Sequence, residues 1–167
     1  MQEYHVVIPD ESFQLVKFRQ EDLPGIGVIN SALRSFQPKE VFSWHLSIMV
    51  QLEGMLDNGM PSREERDALE PWEEDMETIF KGAESQKPNA LFLARITWNS
   101  TRELIYRVFD PEPVNSFLQE TIKTKEYVRP FDYRIDPDDQ WKFADWHLNT
   151  ALGGEQAVPA KSDRSGG

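Results

Sequence analysis

Between residues 42 and 52 an apolar side chain stands at every second position: Phe42, Trp44, Leu46, Ile48, Val50 and Leu52. Successive side chains of an extended strand point to opposite faces, so this period of two puts all six on one side. Such a strand cannot stand alone in water, because its apolar face has to be covered by another layer of structure. The fold must therefore supply partner strands and a covering layer.

Downstream, Asp57-Asn58-Gly59-Met60-Pro61 breaks the alternation, and Ser62 followed by Glu65 has the form of a capping box, which satisfies free N–H groups at a helix start. The apolar positions that follow, Leu69, Trp72, Met76, Ile79 and Phe80, are spaced by three and four and predict an amphipathic helix. Pro71 falls inside that pattern. Its ring clashes with the preceding turn, so a kink or break is expected near Glu70, with Pro71 opening a second segment. Beyond Gly82, residues 90–98 and 103–109 read as two strands across the turn Asn99-Ser100-Thr101-Arg102. Pro111 and Pro113 open a helix carrying Val114, Phe117, Leu118 and Ile122, and Phe131, Tyr133 and Ile135 mark a last strand ahead of a short helix around residues 141–148.

From residue 42 the order is strand, helix, strand, strand, helix, strand. That is an α+β fold of the split βαβ, or ferredoxin-like, kind: an antiparallel sheet with its helices packed on one face. Residues 26–36 read as a hairpin partner of the first strand, joined to it through Gln37-Pro38-Lys39-Glu40. Residues 13–18 read as a further strand and residues 4–8 as a weaker one, so one or two N-terminal strands extend the sheet. Residues 1–150 make a single domain. The text from Gly153 onward lacks aromatics and periodicity, and residues 151–167 are expected to form a disordered tail.

The chain of 167 residues sets 18 Lys and Arg against 29 Asp and Glu, a formal charge of −11, and has no cysteine. Disulfides, thiolate zinc sites, iron–sulfur clusters and cysteine nucleophiles are thereby excluded. The charge argues against nucleic acid, which binds proteins through cationic neutralisation of its phosphates, and makes a basic protein the more natural partner. The N-terminus has no positive n-region, and Val6-Val7-Ile8 falls short of the ~7–15 apolar residues of a signal peptide. No stretch approaches the ~20 apolar residues that span a bilayer. A cytoplasmic location away from membranes is the expectation.

Catalytic motifs are scarce. His5, His45 and His147 are the only histidines, and none has metal-ligand spacing to another. There is no Gly-x-Ser-x-Gly elbow, and Gly25-Ile26-Gly27 lacks the rest of a phosphate loop. Asp136, Asp138 and Asp139 offer oxygen ligands to a hard cation, but no EF-hand spacing continues past Asp139, and an N-cap for the segment at Trp141 accounts for one of them. No catalytic residue, metal or cofactor is assigned.

Two charged features remain. Eight acids from Glu64 to Glu77 share fourteen positions with a single cation, Arg66. They form either a solvated helix face or a docking surface for a basic protein, carried by Glu64, Glu70, Glu73, Glu74 and Glu77. The opposing feature is Arg95, Arg102, Arg107 and Arg134, of which Arg95, Arg107 and Arg134 are expected to share one sheet face, the face the helices leave uncovered. They either pair with local carboxylates or, with His45, form a face for a small ligand or substrate. His45 itself reads as a partly exposed sheet histidine.

Five segments in order carry a resemblance: Gly25-Ile-Gly-Val-Ile-Asn-Ser-Ala-Leu, Phe42-Ser-Trp-His-Leu-Ser-Ile, Asp57-Asn-Gly-Met-Pro-Ser-Arg-Glu-Glu, Ala94-Arg-Ile-Thr-Trp-Asn-Ser-Thr-Arg-Glu-Leu-Ile-Tyr and Tyr133-Arg-Ile-Asp-Pro-Asp-Asp-Gln-Trp. Over residues 12–148 the chain resembles the bacterial domain of unknown function 695 (DUF695) family. It departs from that pattern in its extended N-terminus, Pro71 and the polar tail. The family brings no catalytic residues with it. In sheet architecture it is similar to the regulator of ribonuclease activity B family, small acidic proteins that inhibit an endoribonuclease by binding it. Asp136-Pro137 to Trp141 is similar to the family's C-terminal signature, and its physical role is read as packing, with Trp141 anchoring the last helix against the sheet and Asp138 or Asp139 capping it.

The leading expectation is a non-catalytic bacterial protein that modulates or neutralises another protein, of nuclease or toxin type, through the acidic helix. The rival is a ligand-binding or enzymatic domain on the sheet face of His45, Arg95, Arg107 and Arg134. A third expectation is a homodimer built sheet to sheet.

Overall fold

A computed structural model describes residues 4–153. β1 (Phe13–Gln20) and β2 (Leu23–Asn30) form a hairpin, β3 (Trp44–Gln51) carries the alternating run, β4 (Ala90–Trp98) and β5 (Thr101–Val108) form a second hairpin, and β6 (Phe131–Pro137) lies at an edge. They make one antiparallel six-stranded sheet in the order β1-β2-β4-β5-β3-β6. The mixed α+β class expected from the sequence is thus observed. Both hairpins close through two residues with positive φ, Glu21 and Asp22 at 53° and 65°, Asn99 and Ser100 at 47° and 67°. Such turns match the right-handed twist of the strands they join. The second turn is tighter than the four-residue turn expected, so β5 starts at Thr101.

Three expectations at the N-terminal end are corrected. Residues 26–36 are not one strand: β2 stops at Asn30, and residues 31–34 make a short 3-10 turn. Leu33 and Phe36, three apart, both turn into the core, a spacing that suits a tight helical turn rather than a strand. Nor does β2 pair with β3; it sits between β1 and β4 on the other half of the sheet. Residues 4–8 lie outside any strand. They run as an extended strap that buries Tyr4, whose hydroxyl donates to the Pro88 carbonyl at 2.7 Å.

Helix α1 (Arg63–Lys81) starts at Ser62, whose hydroxyl accepts from the Glu65 N–H at 3.2 Å. It runs unbroken through Pro71, against the expected break. Pro71 is on the exposed side, where water can serve the carbonyl one turn back, while Leu69, Met76 and Phe80 hold the helix to the sheet on both sides of the ring. Helix α2 (Pro111–Thr124) begins with Asp110 capping the Glu112 N–H at 3.1 Å, as the paired prolines indicate. Both helices pack on Leu46, Ile48, Val50, Leu104, Tyr106 and Val108.

The opposite face is not left bare. A second core joins Val16, Phe18, Ile29, Leu93 and Ile96 to Phe42, Trp141 and Trp146, covered by the N-terminal strap and by α3 (Asp145–Gly153). The expectation of helices on one face only therefore holds for α1 and α2, and α3 departs from it. Helix α3 reaches Gly153, past the expected domain end at 150; the remainder of the expected tail lies outside the described residues.

Candidate functional site

The acidic helix face divides when folded. Glu65 and Glu73, with 2% and 7% of their surface exposed, point into the protein along the stripe of Leu69 and Met76. The Glu65 carboxylate takes hydrogen bonds from Arg129 at 2.6 and 2.8 Å and from the Glu53 N–H at 2.9 Å. The Arg129 hydrogen bonds, aided by backbone donors and outweighing burial, hold its carboxyl down at about 2. Glu73 lies between two guanidinium groups, 3.1 Å from Arg102 and 3.5 Å from Arg95. Glu77 accepts from Lys81 at 2.6 Å and from the Tyr106 hydroxyl at 3.3 Å. Of the five acids expected to meet a partner, Glu64, Glu70 and Glu74 stand exposed, and Glu73 belongs to the interior.

Glu70, Glu73, Glu74 and Glu77 nevertheless share a cleft of about 250 Å³. Its other wall and floor are Phe13 of β1, Val28 of β2, and Phe92 and Arg95 of β4. Strand register explains the floor: Leu15 faces Val28 and Val28 faces Arg95, so β1, β2 and β4 present Leu15, Val28 and Arg95 side by side on the face that carries α1. Helix α1 packs on β4 and α2, and the β1–β2 hairpin projects beyond it. Phe13 and Leu15 are consequently 54% and 60% exposed. Phe92 also lines a second, larger cleft of about 820 Å³ beneath the strap, bounded by Ile8, Glu11, Lys81 and Gly82. The two clefts thus adjoin along the C-terminal half of α1.

The arginine set comes apart. Leu91 faces Arg107, and strict alternation would carry Arg95 to that same face; a bulge between Phe92 and Ala94 adds one residue and turns Arg95 to the α1 side, opposite Leu104. His45, Arg107 and Arg134 remain on the other face, so the four expected ligand-face residues do not form one site. Nor is this face open at Arg107, which has no exposed surface. Its guanidinium donates to the Phe42 carbonyl at 3.2 and 3.3 Å, to the Asp138 carbonyl at 2.6 Å and to the Asp138 carboxylate at 2.9 Å. It also donates to His45 Nδ1 at 3.0 Å. A guanidinium has only donors, so His45 accepts there and carries its proton on Nε2. Burial, then the Arg107 cation, push the imidazole down to about 4. His45 is buried, not partly exposed as expected, and Arg134 alone stays in solvent, 3.2 Å from Asp136.

The Asp-Pro-Asp-Asp segment serves packing. Besides holding Arg107, Asp138 accepts from the backbone N–H groups of Lys142 and Phe143, both at 2.9 Å. Burial raises the Asp138 carboxyl, and these bonds together with Arg107 outweigh it and bring it below its ordinary value. Among the described residues no group of three His, Cys, Asp or Glu side chains is arranged to hold a metal ion.

The model of a family of unknown function (DUF695) matches residues 12–146, from the start of the β1–β2 hairpin into α3. The chain belongs to that family. The DUF695 match takes in both walls of the α1 cleft and the Arg107–Asp138 cluster, and leaves out the strap. A comparison with the curated proteins returns no match, and one with the solved structures returns none.

What the sequence missed is the inward half of the acidic helix. Glu65 and Glu73 are eight residues apart, and four and three residues from Leu69 and Met76, so they occupy the same helical stripe as the apolar anchors. That spacing was the available signal.

Proposed function

We propose that this chain works by binding another protein and carries out no chemistry of its own, with the cleft between α1 and the β1–β2 hairpin as the contact surface. The observation that carries this reading is the pairing of an exposed acidic wall, Glu70 and Glu74, with the exposed Phe13 across the cleft and the exposed Leu15 next to it on the same face of β1. Apolar area supplies affinity, and carboxylates beside it select a basic partner and speed its approach. The net charge of −11 favours the same sign of partner and disfavours nucleic acid.

The order β4-β5-β3-β6, with β5 between the strands that α1 connects and β3 between those that α2 connects, supports a ferredoxin-like reading with the β1–β2 hairpin added at one edge. That reading agrees with the similarity to ribonuclease regulators, and a nuclease- or toxin-type target in the bacterial cytoplasm is the partner class proposed. Among the described residues no helix is long and apolar enough to cross a membrane.

The test begins with the immobilised chain, over which bacterial lysate is passed at low salt and from which a salt step elutes bound protein. A protein so identified is then titrated at physiological salt against the wild-type chain and against Glu70→Lys/Glu74→Lys. At least tenfold weaker binding by the variant is expected. Equal affinity for both chains would remove the α1 cleft from the proposal.

A further inference from the structure

We infer that the occupant of this cleft is an amphipathic helix of about four turns with Lys or Arg along the flank that faces α1. The inference rests on the binding role proposed above and adds the shape and chemistry of what binds.

The width of the open strip is set by the sheet. Helix α1 packs over β4, and neighbouring strands lie ~4.8 Å apart, which puts β2 and β1 about 5 and 10 Å further out. Packed helices keep axes about 8–10 Å apart, so the uncovered strands leave the width of one more helix beside α1. Its length follows from β1. Phe13, Leu15, Lys17 and Arg19 alternate onto this face, and at ~3.4 Å per residue they extend about 20 Å, the length of roughly 14 helical residues.

The charges set the occupant's orientation and sign. Along α1, Glu70 and Glu74 are exposed and one turn apart, matched by cations at positions i and i+4 of a neighbouring helix. Glu73 adds nothing to this, because Arg95 and Arg102 already neutralise it. The floor between the walls is apolar apart from Arg95, whose charge Glu73 balances at 3.5 Å, with Phe13 edge-on to Phe92 at 5.8 Å and Ile26 and Val28 half-buried beside Leu15. Lys17 and Arg19 stand at the far end of β1, so the flank of the occupant away from α1 carries an acid there. A helix apolar on one face, basic on the α1 flank and acidic at one outer corner matches Glu70 and Glu74, the apolar floor and Lys17 and Arg19, while Arg95 keeps its partner Glu73. An added β-strand at the β1 edge would engage the backbone of β1 and leave both Glu70 and the apolar floor unmatched.

The experiment uses the full chain and three synthetic 14-residue peptides: a Leu/Lys sequence with helical periodicity, the same composition scrambled to destroy the periodicity, and a Leu/Glu counterpart with the original periodicity. Binding is followed by fluorescence anisotropy of labelled peptide, and peptide conformation by circular dichroism. The periodic Leu/Lys peptide is expected to gain helicity on binding and to bind at least tenfold more tightly than either control. Leu15→Ser and, separately, Glu70→Lys/Glu74→Lys are each expected to reduce its affinity at least fivefold, with unchanged thermal melting showing that the variants fold. Equal binding of periodic and scrambled peptides, binding without helicity, or indifference to Leu15→Ser overturns the inference. If a captured protein depends on Glu70 and Glu74 while the periodic peptide does not bind, the binding role stands and the helical occupant alone fails.

Discussion

The guanidinium of Arg107 lies 4.7 Å from the centre of the Trp141 ring, with the Phe42 carbonyl accepting hydrogen bonds from both side chains. A cation this deep in the protein is held by aromatic contact, by two backbone carbonyls and by the Asp138 carboxylate, so β5, the segment before β3 and the turn into α3 meet at one group. Removing only the balancing charge leaves the cation buried and uncompensated, which costs about 3–5 kcal/mol in comparable cases. Asp138→Asn is accordingly expected to lower unfolding free energy in urea by an amount of that order. Arg107→Met/Asp138→Asn, which removes cation and anion together, is expected to be less destabilised than the sum of the single variants.

His45 makes the same cluster sensitive to mild acid. Its folded-state value of about 4 lies below the ordinary 6.5, so the unfolded chain binds more protons between those values. The stability it contributes is complete above pH 6.5 and is lost as pH falls toward 4. In His45→Asn, where the amide oxygen can still accept from Arg107, the slope of unfolding free energy between pH 6.5 and 4 is expected to flatten. An unchanged slope would mean that other groups carry it.

Glu65 acts in a lower window. Its carboxyl is held at about 2 against an ordinary 4.5, first by the Arg129 hydrogen bonds. A depressed carboxyl stabilises the fold above pH 4.5 and loses that contribution as pH drops toward 2, a span worth roughly 3 kcal/mol. Glu65→Gln is expected to be destabilised near pH 7 and to approach the wild type in stability at pH 2–3, as measured by denaturant unfolding across that range.

These internal acids show why the fold was more legible than the site. Strand alternation from Trp44 to Val50 and the three-and-four spacing of Leu69, Met76 and Phe80 are properties of whole segments, and β3 and α1 follow from them directly, whereas Phe42, read into the same face, ends a 3-10 turn ahead of β3 and packs in the opposite core. Charged positions depend on parity one residue at a time. A single extra residue near Leu93 moves Arg95 from one face of the sheet to the other, and nothing in the letters Ala-Leu-Phe-Leu-Ala-Arg marks the bulge. By sequence Glu73 reads as one of the outward acids of α1, because its burial depends on Arg95 and Arg102, which come from strands that only the fold brings beneath the helix. Leu33 and Phe36 show the same limit for β2: an apolar run of uneven spacing did not reveal where strand gave way to a 3-10 turn.

Glu73 gives a test that separates interior from surface. With Arg102 almost wholly buried and also donating to Thr97 at 3.2 Å, Glu73→Gln leaves an unbalanced guanidinium under α1 and is expected to cost about 3–5 kcal/mol in urea unfolding. Glu74→Gln, one residue on and exposed, is expected to stay within about 0.5 kcal/mol of the wild type. Similar stabilities for the two variants would contradict the inward placement of Glu73.

Gly25 is tied to the ring opposite it. In the β1–β2 pair Phe18 faces Gly25, and a Cβ built there would lie 2.2–2.7 Å from three atoms of the Phe18 ring. The far edge of the ring therefore sits over the glycine, and the ring meets Trp146 of α3 edge to face at 5.9 Å. Gly25→Ala must displace Phe18 from both contacts, an overpacking strain of about 1–3 kcal/mol. A lower melting temperature and a change in the tryptophan fluorescence of the folded protein are expected together, because Trp146 loses its neighbour. In Phe18→Leu/Gly25→Ala the smaller, flexible side chain makes room for the added methyl, and the double variant is expected to be destabilised by less than the sum of the two single substitutions. Simple additivity would show that the contact between residues 18 and 25 does not set the packing of α3 on the hairpin.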